Sequence, residues 1–328
     1  MKGTQTPRKS KLRPILPEKL ARERLMQSLK EPRDTASSSR TRKAHLPRTL
    51  SRTVWFLIVC LLFAVVVTFV GLPILALFWY GTPSGFLNSF SSDIVVEALK
   101  LSLVTTLTTL LVVITFGTPV AYFNARNSYR GKRIIETLID LPIVLPPAVA
   151  GIALLLAFGR RGLLGQYFDI LGINIAFTTT AVVLAQIFVS SPFYIRQATT
   201  SFEDVDPEYE RAARTLGASS AATFFRVTAP IALNGLVSGA LMTWARALGE
   251  FGATILFAGN FQGVTQTMPL AIYTALDSDL DAAVYLAIIL VLISFAVIIT
   301  VKVLTLREKG AAKDEKSIPD RGPPPADN

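Results

Sequence analysis

The sequence predicts an all-α integral membrane protein with six transmembrane helices. Three observations carry this. Hydrophobic residues make up 51% of the 328 residues and mean hydropathy is +0.47, a high value for a soluble domain. The apolar residues are gathered into runs near or above the roughly 20 that cross a hydrocarbon core at about 1.5 Å per residue. Basic residues crowd alternate segments between those runs, as loop charge does on the cytoplasmic side of a membrane.

Taken in order, residues 1–53 read as a basic, disordered N-terminal tail rich in Arg, Lys, Ser, Thr and Pro. Within it, Pro17–Lys30 has Leu20, Leu25, Met26 and Leu29 on one side. Two readings stay open: a helix lying on anionic membrane lipid, or a solvated basic tail that orients the first span. A signal peptide does not fit, because the first apolar run starts late, is long and lacks a small-residue cleavage site. The first span is Val54–Tyr80, bracketed by Trp55 and Trp79 as an aromatic belt would be. The second covers about Ile94–Phe123. The third covers about Ile134–Phe158, interrupted by Pro142, Pro146 and Pro147. The fourth is about Thr178–Ile195, the fifth about Pro230–Ala258 and the sixth about Ala282–Leu306. Residues 54–306 thus form the transmembrane domain, and 307–328 a C-terminal tail.

Charge orients the chain. Residues 1–53 hold 15 Lys and Arg against 4 Asp and Glu, and the remainder holds 18 against 19. The basic character belongs to the tail, so it is no footprint of a nucleic acid partner. Arg126, Arg130, Lys132 and Arg133 follow the second span. Arg196, Arg211, Arg214 and Arg226 follow the fourth, and Arg307, Lys309, Lys313 and Lys316 the sixth. Segments 81–93 and 259–281 carry no Lys or Arg, and only Arg160 and Arg161 break the pattern. Both termini and the 196–229 loop are therefore expected in the cytoplasm of a prokaryotic inner membrane.

Several chemistries are excluded. The one cysteine, Cys60, lies in an apolar run, and the one histidine, His45, in the tail. Neither an intrachain disulfide nor a Cys/His metal site is available. No phosphate-binding loop of the form G-x-x-x-x-G-K-[ST] occurs. An ATP-driven motion would need another subunit, and the alternative from a different class is an ion-coupled secondary carrier or channel.

The segment Glu210–Pro230, ERAARTLGASSAATFFRVTAP, is charged and Ala-rich between two apolar runs. Asp206 can cap a helix with Pro207 in its first turn, Gly217 stands where a left-handed cap belongs, and a second helix starts near Ser219. This is the build of a docking surface. It resembles the EAA loop of ABC importer permeases, at Glu210, Ala212, Ala213 and Gly217 with Pro230 downstream. The resemblance implies that a separate ATPase docks here.

Residues 244–283, WARALGEFGATILFAGNFQGVTQTMPLAIYTALDSDLDAA, and 141–165, LPIVLPPAVAGIALLLAFGRRGLLG, resemble the molybdate/tungstate importer permeases of the type I (MetI-like) class. The resemblance covers about residues 90–306. Sulfate/thiosulfate permeases are close relatives, which favour Tyr-Gly-Ser where this chain has Phe251-Gly252-Ala253. The resemblance implies a homodimer in membrane lipid, two cytoplasmic ABC ATPase subunits and an extracytoplasmic oxyanion-binding protein. No cofactor is expected on this chain, with ATP and Mg held by the ATPase, and no catalytic residue.

Arg246 and Glu250, four apart inside a span, read either as lining the pathway or its gate, or as a structural pair helped by Asp140 or a second copy. Gly249 and Gly252 serve the gate or close helix packing. Pro146 and Pro147 break the third span toward the fifth, as a gate or a static kink. Glu97 and Lys100 lie near the outer interface. Asp277, Asp279 and Asp281 suit either docking of the binding protein or a solvated loop. Their spacing also hints at Ca²⁺, but no EF-hand Gly or Glu follows in register.

Overall fold

The computed structural model describes residues 48–82, 85, 86, 89 and 92–315, with helix and no strand among them. The expectations for residues 1–47, including the Pro17–Lys30 helix, and for 316–328 lie outside this range. The chain divides into two compact units, residues 1–66 and 67–328. In the first, the described part is the beginning of helix α1, Arg48–Tyr80, whose side chains from Val54 to Val66 are exposed and, Cys60 and Ala64 apart, large and apolar.

The second unit carries the bundle. Helix α2 spans Asp93–Arg126. The expected third span is split into α3, Lys132–Val144, and α4, Pro147–Phe158, bent by 115°. The expected interruption of the third span is this bend, and its cause is local. Leu145 (ψ 132°) and Pro146 (ψ 135°) are extended, as a residue before proline must be, and neither proline has an N–H to continue a helix. Pro142, by contrast, is buried inside α3 without ending it.

After the short α5, Gly165–Ile170, helix α6 runs from Thr179 to Glu203, eight residues past the expected end at Ile195. Its extension stays helical because Ala198 and Phe202 are fully buried against α2 and its neighbours. Helix α7 is Pro207–Thr215. A continuous helical run then begins ten residues before the expected Pro230: α8, Ser220–Thr223, a π-helical turn, Phe224–Thr228, and α9, Ala229–Leu248. Pro230 sits just after the π turn, within the first turn of α9, where its missing N–H is tolerated. The fifth span also ends early. Residues 249–251 leave the helix, and α10, Gly252–Phe257, follows. Segment 259–281, expected as a loop, contains α11, Met268–Ser278, with Met268, Leu270, Ala271 and Ala275 buried. Helix α12 is Leu280–Glu315.

Helix α6 is the centre of the bundle. One core cluster joins it to α4 and α10 through Ala150, Ala181, Ala185 and Phe257. Another joins it to α2 and α9 through Ala121, Tyr194, Phe202 and Ala232. The many alanines let backbones approach closely, as packing in lipid requires. A third cluster joins the start of α2 to α11 and α12 through Val95, Met268 and Leu286.

Among the described residues, four helical runs are long and apolar enough to cross a membrane: Val54–Tyr80, Asp93–Arg126, Ser220–Leu248 and Leu280–Thr300. The bent pair α3–α4 makes a fifth if it is one span. The expected fourth, α6, is not among them. Gln186, Ser190, Ser191 and Arg196 interrupt its apolar run, which a helix packed by protein on several sides accommodates.

Candidate functional site

The docking-loop candidate is built around α7. Asp206 caps it, accepting from the Glu208 amide at 2.9 Å. Its end closes as a Schellman turn: the Gly217 amide donates to the Arg214 carbonyl at 2.9 Å and the Ala218 amide to Ala213 at 3.1 Å. Gly217 has φ +88°, and an added Cβ there would meet nothing within 4 Å. The demand for glycine is therefore one of backbone conformation alone.

Glu210 is the buried residue of α7, 5% exposed. Arg126 at the end of α2 donates to its Oε1 through Nε at 2.9 Å, and its Nη2 lies 2.8 Å from the same oxygen. Thr228 of the π turn donates to Oε1 at 2.9 Å, and Tyr122 of α2 to Oε2 at 3.2 Å. The same Arg126 Nη2 donates to the Val205 carbonyl at 3.0 Å. Burial by itself would raise the Glu210 carboxyl. The hydrogen bonds from Arg126, Thr228 and Tyr122, with the Arg126 charge, outweigh it and hold the group below its ordinary value of 4.5. One carboxylate thus ties α7 to α2 and to the π turn. The docking-loop residues divide accordingly. Glu210 faces the bundle, Ala212 and Gly217 are exposed, Ala213 is half-buried and Pro230 is exposed. Sequence reading passed over Tyr209 and Leu216, which stand 55% and 89% exposed. Their signal was an aromatic and a Leu within an otherwise charged loop.

The second candidate site lies where the two broken helices meet. Arg246 Nη1 is 2.7 Å from Glu250 Oε2. Glu250 is 2% exposed and sits past the end of α9, where its Oε1 accepts from the Ala253 amide at 2.9 Å. It therefore caps α10 as well as pairing with Arg246. A Cβ on Gly252 would run into Pro147 of α4, so these two candidates touch. A Cβ on Gly151 would lie 2.8 Å from Leu256 and 2.9 Å from the Ala253 carbonyl, so α4 and α10 pack backbone to backbone. Pro146 and Gly249 are exposed, and a Cβ on Gly249 would meet the Ala245 carbonyl at an ordinary 3.7 Å, so close packing does not explain that glycine. Asp140 pairs with Arg196, at 3.6 Å, and not with Arg246.

The third candidate is dispersed. Asp277 is exposed near the end of α11 and Asp281 in the first turn of α12. Asp279 accepts from the Ala282 amide at 3.0 Å, capping α12. Among the described residues no group of His, Cys, Asp or Glu could hold a metal ion. Glu97, expected near the outer interface, accepts from Gln262 at 3.1 Å.

Residues 114–307 match the family described as binding-protein-dependent transport system inner membrane component. The chain belongs to that family. It is 48% identical over 204 residues to the molybdenum transport system permease protein ModB of Mycobacterium tuberculosis, across 62% of this chain and 77% of that protein. It is 38% identical over 264 residues to a probable molybdenum ABC transporter permease protein of Haloferax volcanii, across 80% and 95%. A bacterial ABC transporter involved in the import of the acidic polysaccharide alginate shares the fold, with a TM-score of 0.58 at 15% identity over 80% of this chain and 99% of that one.

As an inner membrane component of this family, the chain is a multi-pass membrane permease subunit of an ABC transporter with the type I importer fold. Its apolar helices hide a polar seam that sequence reading missed. Thr109 donates to Gln186 at 3.0 Å, Gln186 to Thr105 at 3.3 Å and the Trp244 indole to Thr106 at 3.0 Å. The Met268 amide donates to Ser102 at 2.7 Å. Serine and threonine recurring along one face of α2 were the signal.

Proposed function

We propose that the chain forms the membrane pathway of an ATP-driven importer of molybdate, with tungstate as its close chemical analogue. The observation that carries this reading is the identity of 38–48% to relatives named as molybdenum permeases, one of which the chain matches over 95% of its length. Residues 244–283, which contain Arg246 and Glu250, carry the same resemblance in sequence. In this reading all six runs cross the inner membrane, α6 included, with both termini inside. Two copies form the pathway, two ATPase subunits holding Mg-ATP dock on the two α7 loops, and an extracytoplasmic binding protein delivers the oxyanion near Asp277, Asp279 and Asp281.

The mechanism follows from the connections. The exposed face of α7, with Tyr209, Ala212, Ala213 and Leu216, enters a groove of the ATPase. Glu210 does not touch the ATPase; it passes the displacement of α7 to α2 through Arg126 and to the π turn through Thr228. The run into α9 ends at Arg246 and Glu250, beside Pro146, Pro147 and Gly252, where the pathway opens and closes by alternating access. Arg246 supplies the positive charge that an oxyanion meets, and Glu250 holds its guanidinium in place.

The test is uptake by the reconstituted complex. Uptake should need ATP hydrolysis, and excess molybdate or tungstate should compete with labelled molybdate while sulfate does not. Equal competition by sulfate would move the substrate to the sulfate/thiosulfate class. Uptake without an ATPase would end the importer reading.

A further inference from the structure

An apolar groove of about 650 Å³ runs between α2, α6 and the helical run Phe224–Ala240. Its lining includes Ile114 and Pro119 of α2, Tyr194 of α6, Phe225 of the π turn, and Leu233 and Leu236 of α9. Along α2 it extends from Ile114 to Tyr122, a rise of about 12 Å, close to the roughly 15 Å of hydrocarbon in one leaflet. Its loop-side end is set by Tyr122, whose hydroxyl donates to Glu210. At that same end, in the same turn as Phe225, stands Arg226. It is the single charged residue between Arg214 and Arg246. It is exposed, and makes no ion pair or hydrogen bond with the described residues.

We propose that this groove binds an acyl chain of an anionic phospholipid, with Arg226 taking the lipid phosphate. The walls are hydrocarbon and aromatic, so they suit a chain of methylenes. The depth matches one leaflet, and the lone guanidinium stands at the level where headgroups lie. Phe225, 71% exposed, extends the apolar wall toward the headgroup. The bound chain lies against Tyr122 and Phe224, whose ring centroids are 5.0 Å apart, directly behind the Glu210 anchor. The lipid therefore stiffens the junction between α7 and the bundle.

The experiment uses the full-length permease in nanodiscs containing phosphatidylglycerol or phosphatidylcholine with a diazirine on the acyl chain. Photolabelled peptides are mapped. Label should fall on residues 114–122 and 233–240, with phosphatidylglycerol favoured about five-fold, the effect of one basic residue at an anionic surface. Arg226→Gln should abolish that preference and Arg226→Lys keep it. Leu233→Trp fills the groove from an exposed position and should lower labelling by both lipids. Equal labelling by the two lipids, an unchanged preference in Arg226→Gln, or cross-links to a second copy at these residues would overturn the proposal.

Discussion

Glu210 shows how one side chain can decide what a loop does. Its carboxylate is buried and takes hydrogen bonds from three side chains on two other elements. Replacing it with Gln removes the charge that Arg126 needs and leaves a guanidinium 15% exposed without its partner, a loss of about 3 kcal/mol. The pH dependence has a definite sign. A carboxyl held below 4.5 stabilises the folded loop fully above that value, and the contribution disappears as pH falls through the lowered one. Amide exchange of residues 207–228 should therefore be slower in the wild type than in Glu210→Gln at neutral pH. The two should converge only once the pH has fallen below the lowered pKa of Glu210. At the other charged site, Arg246→Ala leaves Glu250, 2% exposed, with the Ala253 amide as its remaining partner, and should abolish uptake. Replacing both residues with apolar ones of similar volume separates the two readings of the pair. A purely structural pair is replaceable in this way, so restored uptake would remove Arg246 from the pathway.

At the scale of elements, α7 depends on its ends. Gly217 has φ +88°, and Val there costs about 1 kcal/mol or more in backbone strain with no steric clash. The variant Gly217→Val should insert as wild type but co-purify poorly with the ATPase. Normal co-purification together with normal uptake would mean that the α7 turn is not where the ATPase docks. This turn was legible from the sequence, because Asp206, Pro207 and Gly217 act within a few residues of themselves. The end of α1 at Tyr80 and, to within three residues, both ends of α2 were legible too, since polar residues bound their apolar runs, whereas α1 starts at Arg48, six residues inside the stretch expected as a disordered tail. The extension of α6 and the helix α11 were not legible, because their buried faces are narrow and find their partners only in the fold. The partners of Glu210 were hidden for the same reason. Arg126 lies 84 residues away and Tyr122 lies 88, and no local pattern links them.

For the whole molecule, the basic segments 126–133, 196–226 and 302–316 alternate with segments 81–93 and 259–281 that carry no Lys or Arg. The Arg126–Glu210 pair puts the first two of these at one end of the bundle. Reporters fused at residues 1 and 328 should both be cytoplasmic, and one inserted at Gln262 should be external. An external C-terminus would remove a span and put α7 on the wrong side for ATP. The polar character of α6 belongs to this scale as well. A helix at the centre of a bundle meets protein on several sides, so its sequence need not be apolar enough to announce a span.

The π turn at Phe224–Thr228 bears on how this chain tolerates change. A π turn holds one residue more than the α turn that would span the same gap. Losing a single residue between Phe224 and Thr228 would let the helix close as an ordinary α turn across the same gap, so everything beyond would keep its rotational setting and Arg246 its neighbours. Losing a residue from a regular turn of α9 would instead swing the part beyond it by about 100° about the helix axis, and Arg246 would face a different neighbour although no residue near it had changed. The π turn is thus the place in this run where a one-residue deletion should be tolerated best, while deletions within α9 should be far more damaging than substitutions.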